Sequence, residues 1–243
     1  FVVEPPLGPP ARNPSAGADS DANRATIRLR DCFLRSGGEG IAVASSRKLE
    51  LELTNVLFCT EGTLLHAAGG PRRKRSDAPA VRARIEQVTA RVKGGLVHLD
   101  STPEEPELAT VGIVAENSIM STANGDEPLF RLNSRETTDD LGDKVRWEGH
   151  KVAYDQIKTY RRDEVFQTGA KPRIYDREDW LSAFLPKDES PMPGDVKFLH
   201  ETESSRVAWK LEREDLRLAP ASPMANDGPD LSRIPQAPPT GDF

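Results

Sequence analysis

The chain has 243 residues, of which 36% are hydrophobic and only 6% aromatic. That suffices for one domain with a slim core and excludes a large aromatic one. With 39 acidic and 33 basic residues the formal net charge is -6, so binding to nucleic acid or to an anionic membrane would need a local basic patch.

No apolar run approaches the roughly 18–20 residues that span a bilayer, so no membrane insertion is expected within this chain. Two cysteines, Cys32 and Cys59, cannot build a disulfide scaffold and lack zinc-ligand spacing, so both are expected as small core or half-buried residues. Residues 1–23, rich in Pro, Gly, Ala and Asp, read as a linker, with "FVV" at the start a candidate end of a preceding coil. Beginning at Phe1 without an initiator Met, the chain reads as a piece of a longer protein.

From residue 24 to residue 168 one pattern recurs. Aligning "TIRLRDCFLRSGGEGIAV", "LELELTNVLFCTEGTLLHAA", "VRARIEQVTARVKGGLVHLD", "TVGIVAENSIMS" and "KVRWEGHKVAYDQ" places Asp31, Asn55, Gln87, Asn117 and Lys151 in one column. Before the column stand period-two pairs such as Ile27/Leu29, Leu51/Leu53 and Ile113/Ala115. After it come Cys32/Leu34, Val56/Phe58 and Val152/Tyr154. A polar residue between two inward-facing pairs marks a bend, and Asn and Asp suit it because they tolerate a left-handed backbone.

About ten residues further a third pair recurs, as Ile41/Val43, Leu65/Ala67, Val97/Leu99, Phe130/Leu132 and Phe166/Thr168. Three short strands per repeat describe one coil of a parallel β-helix, with equivalent side chains stacked in ladders. An antiparallel sandwich also has short alternating strands, but it does not require whole triplets to recur in register with one polar corner. The fold class expected is therefore all-β, a single-stranded right-handed parallel β-helix of five recognisable coils.

Repeat length varies through loops inserted at the other corners: "GGPRRKRSDAP", "DSTPEEPE", "STANGDE" and "NSRETTDDLGD". Residues 169–218 read as a C-terminal cap. Within it, Asp176 to Leu185 form a short helix carrying Trp180, Leu181 and Phe184, ended by Pro186, and "VKFLHE" and "RVAWKLERED" add one or two strands. Residues 219–243 are a Pro-rich strap or disordered tail.

The third strand carries the candidate site. If Leu65, Val97, Phe130 and Phe166 point inward, their neighbours His66, His98, Arg131 and Gln167 stack outward as a polar stripe, bordered by outward Leu64, Leu96, Leu129 and Val165. An exposed apolar ladder of that kind acquires a cover. Either the helix bearing Trp180, Leu181 and Phe184 docks there, or the stripe is a groove for a ligand or partner. A two-histidine metal site has no predictable third carboxylate or Cys ligand, so no metal is expected.

Elsewhere, "GGEG" at Gly37–Gly40 reads as a turn, and "PRRKRS" reads as a soluble basic loop without the aromatics that base stacking needs. Outward Arg28, Glu50, Glu52, Arg84 and Val114 form no carboxylate cluster of the kind polysaccharide lyases or hydrolases use, and Asp139 and Asp140 lie in an acidic loop.

The phrases "IRLRDCFLRSGGEGIAV" and "LELTNVLFCTEGTLLHAAGG", with the terminal "DGPDLSRIPQAP", resemble the right-handed β-helix regions of large planctomycete-type proteins, many identified as serine/threonine protein kinases. The likeness runs from Ala25 to Pro239 and lies in repeat style. It implies an accessory region downstream of a kinase domain. The chain itself has no Gly-rich phosphate loop, no His-Arg-Asp and no Asp-Phe-Gly.

The expectation is a non-catalytic interaction or ligand-sensing module without cofactor, an extracytoplasmic part of a membrane-anchored bacterial protein. Its partners would be other domains of the parent protein and a carbohydrate or protein ligand, not nucleic acid. The alternative is a carbohydrate-active, pectate-lyase-like enzyme or a degenerate relative.

Overall fold

The computed structural model describes residues 2–3, 24–44, 48–70, 79–122, 126–135, 141–166, 171–184, 187–189, 191, 196–199, 208–222 and 224–236. The insertion residues 71–78, 123–125 and 136–140, which carry the basic run and Asp139 and Asp140, lie outside them. So do residues 4–23 and 237–243.

The chain folds as a right-handed parallel β-solenoid. Five long strands, β2 (Ala25–Ser36), β4 (Leu49–Thr60), β6 (Val81–Val92), β8 (Val111–Thr122) and β10 (Val145–Asp155), stack in register as one sheet. The short strands β3 (Ile41–Ala44), β5 (Leu65–Ala68), β7 (Val97–Asp100), β9 (Phe130–Ser134) and β11 (Arg161–Val165) form the other. At one end Val2–Val3 (β1) pairs in parallel with β3. At the other, β12 (Arg173–Tyr175) adds antiparallel to β11 and β13 (Lys187–Glu189) adds parallel to β10.

Each long strand contains the corner within it. Asp31, Asn55, Gln87, Asn117 and Lys151 have φ of 50°, 53°, 53°, 47° and 50°. Pairing runs on either side of the column, Arg30 with Thr54 and then Cys32 with Val56, while the corner residue is skipped. One left-handed residue redirects the chain without ending the strand, so the three strands expected per coil appear as one bent strand and one straight strand.

Inward residues on both sides of the bend form a continuous core: Leu51, Leu53, Val56, Phe58, Ile85, Val88, Ile113 and Met120 are all buried. The interior ladder Leu29, Leu53, Ile85 holds, since Leu29 pairs with Leu53 and Leu53 with Ile85.

The solenoid amounts to about three turns rather than five. The coils built on β4–β5, β6–β7 and β8–β9 are buried at every inward position. By contrast β2 is a sheet edge whose inward residues stay half-exposed.

The last coil also departs from its expected register. Arg161, not Phe166, pairs with Phe130, so Arg161 and Asp163 occupy inward positions where apolar residues are expected. They meet as a buried ion pair at 2.7 Å, and Arg161 Nη2 donates to the Leu141 carbonyl at 2.7 Å. A buried charge pair with further hydrogen bonds is tolerated in such a place. Phe166 is 59% exposed instead.

The helix α1 (Arg177–Phe184) does not lie on an outer ladder. Trp180 closes the end of the cylinder, its ring 5.3 Å from Tyr160, 5.6 Å from Phe130 and 6.5 Å from Trp147. The C-terminal segment covers a different face, the outward side of the long strands beyond the corner. Phe33, Leu57 and Cys59 pack there against Ala208, Leu211, Leu216, Leu231 and Ile234. Ile119 and Ala153 pack against Val196 and Met224. Apolar residues at both alternating positions of "VLFC" and "VAY" fit a strand segment covered on both sides.

Hydrogen bonds at the corner column fasten this strap. Asn55 Nδ2 donates to Asp31 Oδ1 at 2.7 Å and to the Asp230 carbonyl at 3.2 Å, while its Oδ1 accepts from Asp230 N at 2.6 Å. Arg233 reaches Asp31 at 2.8 Å, and Arg35 donates to the Leu211 carbonyl at 2.8 Å. Cys59 lies under the strap, its thiol pushed up to about 12 by burial, and Cys32 is half-buried and also free.

Two outcomes follow from the buried corner and the strap it holds. Replacing Asn55 by Ala orphans strap groups and strains the left-handed corner, for an expected loss of about 2–4 kcal/mol in chemical denaturation. Gln87→Asn, at the same φ, is expected to cost nothing measurable. Ending the chain at Pro191 exposes Leu57, Cys59 and Ile119, so the melting temperature is expected to fall and hydrophobic dye binding to rise.

Candidate functional site

The short strands are straight, so their side chains alternate strictly between core and surface. Ile41, Leu65, Val97 and Phe130 point in, and one residue on, Ala42, His66, His98, Arg131 and Arg162 form an outward row. The next outward row is Ala68, Asp100, Asn133 and Glu164. The structure thus brings His66, His98 and Arg131 together as the sequence pattern expects. Gln167 lies outside the described residues, and the shifted register gives its place in the row to Arg162.

The bordering apolar ladder is not on the surface. Leu64, Leu96 and Leu129 are 2%, 1% and 1% exposed and belong to the core. They sit at the corner before each short strand, where the chain turns and two successive side chains both reach the interior. The turn is tight: a Cβ on Gly95, at φ 94°, would fall 2.2 Å from the Pro128 carbonyl oxygen.

Asp100 organises the centre of the stripe. His66 Nε2 lies 2.8 Å from Asp100 Oδ2 and His98 Nε2 lies 3.2 Å from Oδ1. The two imidazoles stack at 4.9 Å with 19° between their planes. Asn133 Nδ2 lies 2.8 Å from Asp100 Oδ1 and 2.7 Å from His98 Nε2. All three ionisable side chains are about three-quarters buried or more, with exposures of 27% for His66, 17% for His98 and 27% for Asp100. To one side Arg131 pairs with Glu127, and Arg162 pairs with Glu164 at 2.6 Å.

Electrostatics follow from this geometry. The hydrogen bond to Asp100 raises the His66 pKa, against the opposing effect of burial. Burial by itself would raise the Asp100 carboxyl, but hydrogen bonds from His66, His98 and Asn133 outweigh it and hold the group well below the usual carboxylate range.

Among the described residues, His66, His98 and Asp100 offer three donor atoms within 4.8 Å of one another. A third donor group, for which the repeat pattern offers no candidate, is thus supplied by Asp100. It stands two residues after His98, at the spacing that puts both side chains on the same strand face, and that was the signal available.

A second concave region lies on the outer side of the long strands before the corner, lined by Glu50, Glu52, Arg84, Gly112, Val114 and Glu148. Between β4 and β6 the charges are opposite, Glu50 and Glu52 standing beside Arg82 and Arg84, while between β6 and β8 Glu86 stands beside Glu116. Arg28 donates to Glu52 at 2.7 Å and Lys187 pairs with Glu148 at 3.1 Å. Among the described residues no helix is long and apolar enough to cross a membrane.

Comparison with known proteins finds no matching family model, and no curated protein or solved structure matches the chain.

The His–Asp contacts set a pH window in metal-free protein. The raised His66 contributes stability that is present below its ordinary 6.5 and lost as pH rises through its folded value. The lowered Asp100 contributes stability present above its ordinary 3.8 and lost as pH falls through its folded value. The ladder is therefore expected to stabilise the fold most between those two ordinary values. Imidazole proton shifts should show His66 titrating above 6.5, and the midpoint should fall in Asp100→Asn, where burial is no longer offset by the carboxylate.

Proposed function

We propose that this β-solenoid is a non-catalytic interaction module of a larger bacterial protein, with the outer face of the short-strand sheet as its recognition surface. The supporting observation is the pair of in-register rows running from His66 through His98 and Arg131 to Arg162, and from Asp100 to Asn133. Imidazole, carboxylate, carboxamide and guanidinium groups stand there on a rigid sheet whose rungs recur every ~4.8 Å.

Such groups hydrogen-bond hydroxyls, and the centre of the face lacks the large apolar anchors that dominate protein–protein interfaces. A carbohydrate chain lying along the stack is therefore the ligand class best supported. The pectate-lyase-like alternative receives less support, because in the other concave region Glu50 and Glu52 stand beside Arg82 and Arg84, and Glu86 beside Glu116 is the one cross-strand carboxylate pair among the described residues there. Placement as the accessory region of a receptor-like serine/threonine kinase rests on the repeat style of Ala25 to Pro239 alone.

Binding to an immobilised panel of neutral and acidic polysaccharides tests the reading. The chain is expected to be retained by at least one polymer without depolymerising it, and the Arg131→Ala/Arg162→Ala double variant is expected to bind it roughly tenfold more weakly. Retention by none, or equal retention of both proteins, overturns the recognition surface. Release of shortened chains would put the enzyme reading in its place.

A further inference from the structure

We propose that His66 Nε2, His98 Nε2 and the Asp100 carboxylate form a binding site for a divalent transition metal of the Zn²⁺ class. The inference stands on the geometry of these side chains and holds whether or not the surrounding face takes a carbohydrate.

Two imidazoles and a carboxylate are a donor set suited to Zn²⁺ and its neighbours, whereas an all-oxygen set would suit Ca²⁺ or Mg²⁺. The donor atoms already converge, at 2.8 Å between His66 Nε2 and Asp100 Oδ2 and 3.2 Å between His98 Nε2 and Oδ1. A tetrahedral ion with bonds of about 2.0–2.1 Å spaces its ligands by about 3.3 Å. A cation can therefore replace the protons now shared between the imidazoles and the carboxylate after small side-chain rotations, with no change of backbone.

The backbone is well suited to hold such a site. His66 stands on β5 and His98 and Asp100 on β7, in coils that have neighbours on both sides, so the ligands are carried by paired strands and not by a loop. The stacked rings present both Nε2 atoms to the same carboxylate.

Asn133 supplies an independent observation. Its carboxamide nitrogen touches both His98 Nε2 and Asp100 Oδ1, while its Oδ1 is buried with no hydrogen-bond partner among the described residues. Buried carboxamide oxygens are ordinarily satisfied. Turning the amide over, which the shape of the group permits, directs that oxygen at the space between His98 and Asp100, where a cation would accept it as a fourth donor. Asn133 Oδ1 thus completes a mixed nitrogen and oxygen set.

Titration of the chelator-treated chain with Co²⁺, followed by its visible d–d absorption and then by Zn²⁺ competition, tests the site. One Co²⁺ per chain is expected, with the band intensity of a tetrahedral nitrogen/oxygen site, displaced by Zn²⁺. His66→Ala and His98→Ala are expected to abolish the band, and Asp100→Asn to weaken binding by roughly 10–100-fold. Asn133→Ala is expected to weaken it less while preserving stoichiometry.

Far-UV circular dichroism checks that each variant is folded. Zn²⁺ should raise the melting temperature of the wild-type chain but not that of His98→Ala. Absence of a Co²⁺ band in the wild-type chain, or an unchanged band in folded His98→Ala, overturns the proposal. The polysaccharide experiment uses Arg131 and Arg162, which lie outside the donor set, so the two readings fail separately.

Discussion

Each coil must repeat the path of the one beneath it, because parallel strands hydrogen-bond only in register. The left-handed corner at Asp31, Asn55, Gln87, Asn117 and Lys151 is where that requirement is most visible. A non-glycine residue in this conformation costs about 1–2 kcal/mol in isolation, and a misplaced one would turn its coil off the stack. With the corner aligned, inward residues on both sides of the bend fall into continuous ladders. The outward residues of the paired strands then fall into rows as well.

The rows differ in what they meet. Beyond the corner, Phe33, Leu57, Cys59 and Ile119 are apolar and lie beneath the C-terminal strap. Asn55 serves both parts, turning the coil through its backbone and holding Asp230 through its side chain. Before the corner, Arg28, Glu52 and Arg84 place opposite charges side by side from β2 to β6, and beyond them Glu86 meets Glu116. On the short strands the rows carry imidazoles, an aspartate, an asparagine and arginines, and stacking at the inter-strand distance forces them into mutual contact. His66 and His98, thirty-two positions apart in sequence, become neighbours for that reason alone.

The corner column and the interior ladders were legible in the sequence because they repeat: Asn55 announces its conformation by residue type and Leu53 its direction by alternation. His66, His98 and Arg131 were legible as an outward row for the same reason. Failures occurred where a residue departs from its column's chemistry. Arg161 and Asp163 fill inward positions of the last coil as an ion pair, so the apolar alternation pointed five residues too far along, to Phe166. Leu64, Leu96 and Leu129 directly precede inward residues, and strict alternation places them outside. The tight corner turns them in. Asp100 opens the acidic stretch "DSTPEEPE" and so looks like the start of a loop, although its separation of two from His98 puts it on the same strand face.

The account rests on equivalent positions of successive coils being direct neighbours. Interstrand nuclear Overhauser contacts test this most directly. The stack predicts contacts linking Leu53 with Ile85, His66 with His98 and Leu99 with Leu132, in the backbone pattern of parallel strands. An antiparallel pattern, or contacts joining these residues to other positions within their own repeat, would contradict it.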